Sequence, residues 1–467
     1  MHERPTDPTA VDNQRQDHMI PGELDTTTRS SESPRVAIIG GGISGLACAH
    51  YLATEGVQVS VYESSDRFGG LGTFFEYAGR TVEKFYHVML PDDHHLLALL
   101  GDLNLSEHVH WRHTSLGYLY ERRLYPLNRP IDLLRFRPAP LASRVRLGLS
   151  ALYMSHFSRP GPLDDVSVED WLIRLSGRTG FECVLRPLLE AKFGDAYRTI
   201  PALWYWSRFT REKGTKKEVK GYVPGGYKTI TDAIVSSLDR RGARLTLNSP
   251  VEHLDIDKNG APALTVGGVP RSFDKVISTI PLTLLRRSVE GGAIEPWLDR
   301  VDPQIDYQGV VNVLVVLRRP ITEHYWIAVV RSGAPFDGIV ETTSLVDPDG
   351  ETGHHFVYLM NYVHRSHPLF ERESEGIAKE YVEALLDLFP DLSPDDVIDS
   401  FVFRAPFVEP VYTPGYGRRV PPAELVPGRV FLATTTQVYP HVTSWNSSSR
   451  VARETVDKIL EDLAGGS

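Results

Sequence analysis

The sequence predicts an α/β fold built around a nucleotide-binding sheet, and three observations point to it. The apolar run Val36-Ala37-Ile38-Ile39 reads as a buried strand, and Gly40, Gly42 and Gly45 form a G-x-G-x-x-G turn straight after it. Strand patterns of the same kind return late in the chain, after a long stretch of different character. At 467 residues the chain also exceeds the size at which one hydrophobic core stops growing, so two domains are expected.

The first element set is a complete βαβ unit. Gly40 makes the tight turn, Gly42 lets backbone amides approach a pyrophosphate, and Gly45 lets the helix pack close to the strand. The phosphates would sit on the N-terminus of that helix. The helix runs through Leu46, Ala47, Ala49, Tyr51 and Leu52 and stops at Gly56. Val57 to Tyr62 then alternates as a second strand, and Glu63 ends it. An acid about 20 residues past the glycines accepts from a ribose 2′-hydroxyl and repels a 2′-phosphate, which disfavours NADP.

Composition narrows the class. A net charge of −10 and a pI of 5.9 exclude a general nucleic-acid binder, which needs a basic face. Two distant cysteines, Cys48 and Cys183, build no disulfide framework, so a reducing cytoplasm fits. No apolar run reaches the 18 residues of a membrane span. Residues 1–34 are polar, lack a signal-peptide core and are expected to be a disordered leader.

Beyond the βαβ unit, the segment from Gly101 to Lys220 is rich in Arg, Leu, Trp and Tyr at helical spacing, as in Val168 to Leu175. Leu133 to Met154 carries Arg135, Arg137, Arg144 and Arg146 among leucines. An ordinary helix with snorkelling arginines is preferred there over a membrane-surface one. The basic run Arg211 to Lys220 reads as a solvated loop. Val223 to Tyr227 is a turn before a helix from Ile230 to Leu238. Ala243–Leu247, Val251–Leu254 and Lys275–Pro281 read as strands, as do Val310–Leu317 and Phe356–Tyr362. Arg429–Ala433 is a last strand, and Ser447–Leu463 is a closing helix.

After Glu63 comes Arg67-Phe68-Gly69-Gly70, and the resulting E-x-x-x-R-x-G-G pattern resembles the two-dinucleotide-binding flavoproteins of the amine oxidase and protoporphyrinogen oxidase superfamily. The resemblance implies a Rossmann-like FAD-binding domain with an interleaved α+β substrate domain, and FAD as cofactor. FAD would be held by residues 35–100, 221–300 and 425–467, and substrate by 101–220 and 301–424. It further implies that Arg67, Gly69, Gly70 and Leu71 pass along the diphosphate and ribityl chain, and that Val251 meets the adenine through its backbone. Gly40, Gly42, Ile43, Ser44, Gly45, Glu63 and Ser64 complete that end. Many members carry a Gly-Asp pair after the last strand; this chain has Ala433-Thr434-Thr435-Thr436 instead. Thr434, Thr443, Trp445 and Asn446 are therefore the expected flavin contacts, and the N-terminus of the closing helix would favour a reduced, anionic flavin. With no cysteine near this motif, the FAD is expected to be non-covalent.

A second resemblance bears on chemistry. Glu83-Lys84-Phe85-Tyr86-His87, Asp92-Asp93 and Arg123 to Asn128 are similar to the matching part of UDP-galactopyranose mutases, where an aromatic and histidine segment lies beside the isoalloxazine. His87, with Tyr86 beside it, is the candidate for bonding N5 or moving a proton. Lys192 lies in Arg186 to Gly194, which resembles a substrate-domain signature of protoporphyrinogen oxidase-like enzymes, and is the third catalytic candidate; a snorkelling surface lysine is its plainer reading. Trp204, Tyr205 and Trp206 are candidates to line a pocket. The pairs His94-His95 and His354-His355 lack zinc-ligand spacing, so no metal is expected. The expected activity is hydride transfer from a small-molecule C–H to flavin, with a mutase-like non-redox reaction on a nucleotide sugar as the alternative.

Overall fold

The computed structural model describes residues 33–212, 219–301, 305–347 and 353–465. The expected leader up to residue 32 and Lys213, Lys216 and Lys217 of the basic run lie outside these residues.

Strand Arg35–Ile39 is flanked on one side by Gln58–Tyr62 and on the other by Lys275–Ser278, both parallel to it. Val430–Leu432 and Arg244–Thr246 extend the parallel sheet outward, and Glu424–Val426 closes one edge antiparallel. A parallel sheet is covered on both faces, which is why its central strand reads as an unbroken apolar run. Val36 and Ile38 pack into the cluster that holds helix Ile43–Thr54, whereas Ala37 and Ile39 join the cluster on the opposite face. Helix Trp445–Gly465 packs against helix Ile43–Thr54. Its start is fixed by Ser444, whose Oγ accepts from the Ser447 amide at 3.1 Å.

The second sheet has seven strands in the order Val397–Val411, Asp306–Leu317, His355–His364, Gly338–Glu341, Trp326–Val330, Leu116–Tyr120 and Arg123–Pro126. All neighbours are antiparallel except Trp326–Val330 with Leu116–Tyr120. Alternate residues of Asp306–Leu317 go to opposite faces. Val311, Val313 and Val315 pack with Ile377, Tyr381 and Leu385 of helix Ser374–Leu388, while Val310, Leu314 and Val316 face the other way with Tyr325, Phe356 and Tyr358.

The expected continuous helix from Leu133 to Met154 is two helices, Pro130–Arg135 and Leu141–His156. Pro138 and Pro140 separate them, because proline cannot donate to a helical ladder and forces its predecessor out of the helical region. Among the described residues no helix is long and apolar enough to cross a membrane.

Candidate active site

One cavity of about 700 Å³ joins the two sheets, a volume well inside the range of cofactor and ligand pockets. On the parallel-sheet side it is lined by Gly40, Gly42, Ile43, Ser44, Glu63, Gly69, Gly70 and Leu71. Gly40 sits at φ +102°, a conformation that side-chain-bearing residues rarely adopt. A Cβ on Gly45 would fall 2.0 Å from the Gly40 carbonyl oxygen, so only glycine lets the helix start this close to the strand end. Gly45 therefore shapes the loop without lining the cavity.

Glu63 locks this loop. Its Oε2 accepts from the Gly41 amide at 2.6 Å, and its Oε1 accepts from the Ser65 amide at 2.8 Å and from the hydroxyls of Ser64 and Ser65 at 3.3 and 2.8 Å. Each carboxylate oxygen carries two lone pairs, so Oε2 retains capacity for a ribose hydroxyl. Ser64 itself is outside the lining and contributes through Glu63. Ser249 donates to the Glu63 carbonyl at 2.8 Å, which brings the start of strand Val251–Ile256 close to the acid, although Val251 is not a lining residue.

Three sequence expectations change here. Arg67 does not line the cavity: its guanidinium forks onto Asp66 at 2.9 and 2.8 Å and donates to the Phe74 carbonyl, partners that its local turn supplies. The Asn446 Oδ1 accepts from the amides of His95 and Leu96 at 2.9 and 3.1 Å and so caps helix His94–Asp102 instead of facing the cavity. Thr434 is buried in a capping box with Gln437, and its neighbour Thr435 takes the position on the cavity wall. Thr443, Ser444, Trp445 and Ser448 do line it, so the first turn of helix Trp445–Gly465 presents its positive dipole end to the cavity.

Tyr86 and His87 follow the hairpin of Phe74–Tyr77 and Arg80–Glu83 and line the cavity between the two sheets. The His87 Nδ1 lies 2.8 Å from the Phe85 carbonyl, a contact that requires Nδ1–H and leaves Nε2 as the lone-pair nitrogen of the neutral ring. Its ring packs 4.9 Å from Tyr227, which in turn meets Trp445 edge-on at 4.4 Å. His87 also borders a second, smaller cavity shared with Glu83, Arg112 and Tyr222. Burial, and a hydrogen bond donated to Tyr362, push the Tyr86 phenol well above its ordinary pKa, so it stays protonated.

On the antiparallel-sheet side the wall is aromatic and charged. Lys192, from helix Arg186–Phe193, is no surface lysine: its Nζ lies 2.5 Å from the Glu409 Oε2 and 4.5 Å from the centre of the Tyr362 ring. Glu409 is 1% exposed and also accepts from the Trp204 indole at 3.3 Å. Trp204 and Tyr205 line the cavity, as the triple-aromatic reading allowed, whereas Trp206 turns away to bond Ser158. Tyr125 of the mutase-like segment packs on Phe136 and lies outside the lining. Asn312, Tyr325, Asp337, Tyr362 and Glu409 are wall residues that sequence reasoning missed. A lone Asn within the valine run and an acid between Val408 and Pro410 were the available signals. The Asn312 Oδ1 and Tyr325 hydroxyl lie on this wall, buried without a hydrogen-bond partner among the described residues. Burial, with a smaller contribution from Glu190, pushes the Asp337 carboxyl up to about 6.

This geometry can be set against known proteins. A model of the family described as flavin containing amine oxidoreductase matches residues 43–454. The chain belongs to this family. Membership carries FAD as the family's cofactor and oxidoreductase chemistry as its chemistry. A mitochondrial protoporphyrinogen oxidase of Nicotiana tabacum is 24% identical over 337 residues, which cover 62% of this chain and 66% of that one. The chain spans about half to two thirds of the length of the curated relatives it matches. A putative protoporphyrinogen oxidase from Exiguobacterium sp. 255-15 superposes with a TM-score of 0.74 at 18% identity, covering 92% of this chain and all of that one. Reduced UDP-galactopyranose mutase superposes with a TM-score of 0.73, also at 18% identity, over 92% of this chain and 96% of that one. These likenesses establish the fold. The glycine loop and the acid at the strand end fit the flavin dinucleotide that the family carries.

Proposed function

We propose that the protein is an FAD-dependent oxidoreductase that takes a hydride from a C–H bond of a small molecule. The observation that carries the reading is the single cavity lined jointly by the glycine loop and by Tyr86, His87, Lys192, Tyr362 and Glu409. Bound FAD supplies the hydride acceptor. Gly40, Gly42, Ser44 and Glu63 hold the dinucleotide, and the first turn of helix Trp445–Gly465 stabilises negative charge that develops nearby. The dinucleotide side comprises residues 35–100, 221–300 and 425–467, and the substrate side 101–220 and 301–424.

The aromatic wall of Tyr86, Trp204, Tyr325, Trp326, Tyr362 and Phe407 excludes water and orients the substrate's apolar part. The Asn312 Oδ1 accepts one hydrogen bond from a donor group of the substrate. Lys192 and Glu409, locked as a pair, meet a polar or charged group without leaving either charge unpaired. His87, through its lone-pair Nε2, is the residue that accepts a proton released as the hydride departs. An amine, a C–C bond to be desaturated and a sugar carbinol all meet these requirements. The mutase-like alternative asks for arginines that clamp a pyrophosphate, and Arg208 is the one arginine among the described lining residues.

The test is anaerobic: flavin absorbance is followed as amines, tetrapyrroles and nucleotide sugars are added in turn. Bleaching by one class, with recolouring on admission of oxygen or another acceptor, supports the oxidoreductase. Turnover of a nucleotide sugar that requires prereduced flavin and returns it reduced supports the mutase instead.

A further inference from the structure

Among the described residues, His87 is the one residue common to the linings of the active-site cavity and of the smaller cavity beside it. The smaller cavity measures about 450 Å³ and differs in chemistry from its neighbour. Arg80, Glu83, His110, Arg112 and Asp347 line it, so it is a polar space of the kind that holds water. Arg80, His110, Pro224 and Gly225 are exposed, and its mouth therefore faces solvent.

Glu83 links His87 to this second space. It ends strand Arg80–Glu83, is 8% exposed, and holds its Oε2 3.6 Å from the His87 Nδ1. Its Oε1 accepts from the Tyr227 amide at 2.8 Å. A Cβ on Gly226, which sits at φ +69°, would fall 2.6 Å from that oxygen, so the turn Pro224-Gly225-Gly226 is shaped around the carboxylate. Tyr358 donates to the Glu83 carbonyl at 2.7 Å and fixes the strand end. Burial, with the Glu83 charge adding to it, holds the phenols of Tyr222 and Tyr358 above their ordinary pKa, so both stay protonated and neither takes up a proton. Asp347 is the other carboxylate of the lining, and Glu83 is the one that pairs with His87.

We propose that Glu83 relays protons from His87 into the second cavity, which is the proton exit of the active site. The inference rests on the reading of His87 as the proton acceptor. When the substrate C–H bond breaks, both its electrons leave with the hydride for the flavin, and the proton released with it goes to the His87 Nε2. The imidazolium then gives its Nδ1 proton to the Glu83 Oε2. The 3.6 Å between them exceeds a direct hydrogen bond, so the transfer runs across one water or after a small swing of the ring. Glu83 passes the proton to water in the second cavity and returns to carboxylate. The ring, left with its proton on Nε2, regains the Nδ1–H form that the Phe85 carbonyl favours by exchange with water once product has left. One hydride reaches the flavin and one proton reaches solvent, and no water has to enter the aromatic side of the first cavity.

The test is the exchange of the His87 Nδ1 proton with water, read by NMR in the full chain carrying FAD and isotope-labelled histidine. Loss of the signal in His87→Gln assigns it. Glu83→Gln still accepts from the Tyr227 amide and removes the proton acceptor, so exchange is expected to slow about tenfold or more. Glu83→Ala is expected to be as slow and to be restored by acetate, which enters through the second cavity, and not by chloride at equal ionic strength. Wild-type exchange in Glu83→Gln, or a Glu83→Ala variant that acetate and chloride leave equally slow, overturns the proposal. The readout needs no substrate, so failure of the redox reading shows separately, as a flavin that no substrate class bleaches while the exchange rates still differ.

Discussion

Glu63 illustrates how one side chain links strand end, loop and ligand. It holds the Gly41 and Ser65 amides and lies on the cavity wall. Hydrogen bonds to a charged acceptor contribute about 1.5–3 kcal/mol each. Glu63→Gln is thus expected to weaken FAD binding at least tenfold, read by fluorescence titration of the apoprotein; an unchanged affinity would remove Glu63 from the ribose site. Asp337 gives a pH prediction. Its carboxyl is raised to about 6 in the folded chain, against an unfolded value near 3.9. Between these values the folded state holds more protons than the unfolded one, so stability falls as pH rises through that window, and the penalty is complete above about pH 6. Asp337→Asn should then raise stability by about 1–3 kcal/mol at pH 7.5 and by almost nothing near pH 4. Thermal melts across that range check it, and a gain independent of pH would contradict it.

At the scale of elements, helix Ile43–Thr54 depends on its approach to the first strand. Gly45→Ala drives a Cβ into the Gly40 carbonyl, so the helix has to move away from the sheet. The expected cost is about 2–4 kcal/mol together with loss of retained FAD, measured by melting temperature and flavin content. Helix Arg186–Phe193 is tied to strand Val397–Val411 by Lys192 and Glu409. Lys192→Met alone leaves a buried carboxylate without its cation and should cost about 3–5 kcal/mol, whereas Lys192→Met with Glu409→Leu should recover most of that loss. Additive losses in this double-mutant cycle would show that the pair is not coupled. Periodicity made the βαβ unit legible to within a residue or two, because strand and helix periods differ and the glycines punctuate them. The break at Pro138 and Pro140 was also written in the sequence, and the leucine spacing on either side masked it.

For the whole molecule, the parallel sheet and its nucleotide edge were legible in the sequence because one continuous segment encodes strand, turn, helix, strand and acid. The substrate wall was legible only in part: Tyr86, His87 and Lys192 stood out as candidates, whereas Asn312, Tyr362 and Glu409 join them only through the seven-stranded sheet. Arg67 and Asn446 illustrate the converse: residue types that suit a cofactor were satisfied by Asp66 and by the helix at His94. The proposed chemistry requires a dinucleotide flavin in the joint cavity. The most direct measurement is the visible spectrum of the purified protein, followed by acid release of the chromophore and its identification by mass. The prediction is an oxidised-flavin spectrum and stoichiometric, non-covalently released FAD, with a melting temperature that rises when FAD is restored to apoprotein. A colourless protein that takes up no added FAD, and whose melting temperature FAD does not move, would contradict it.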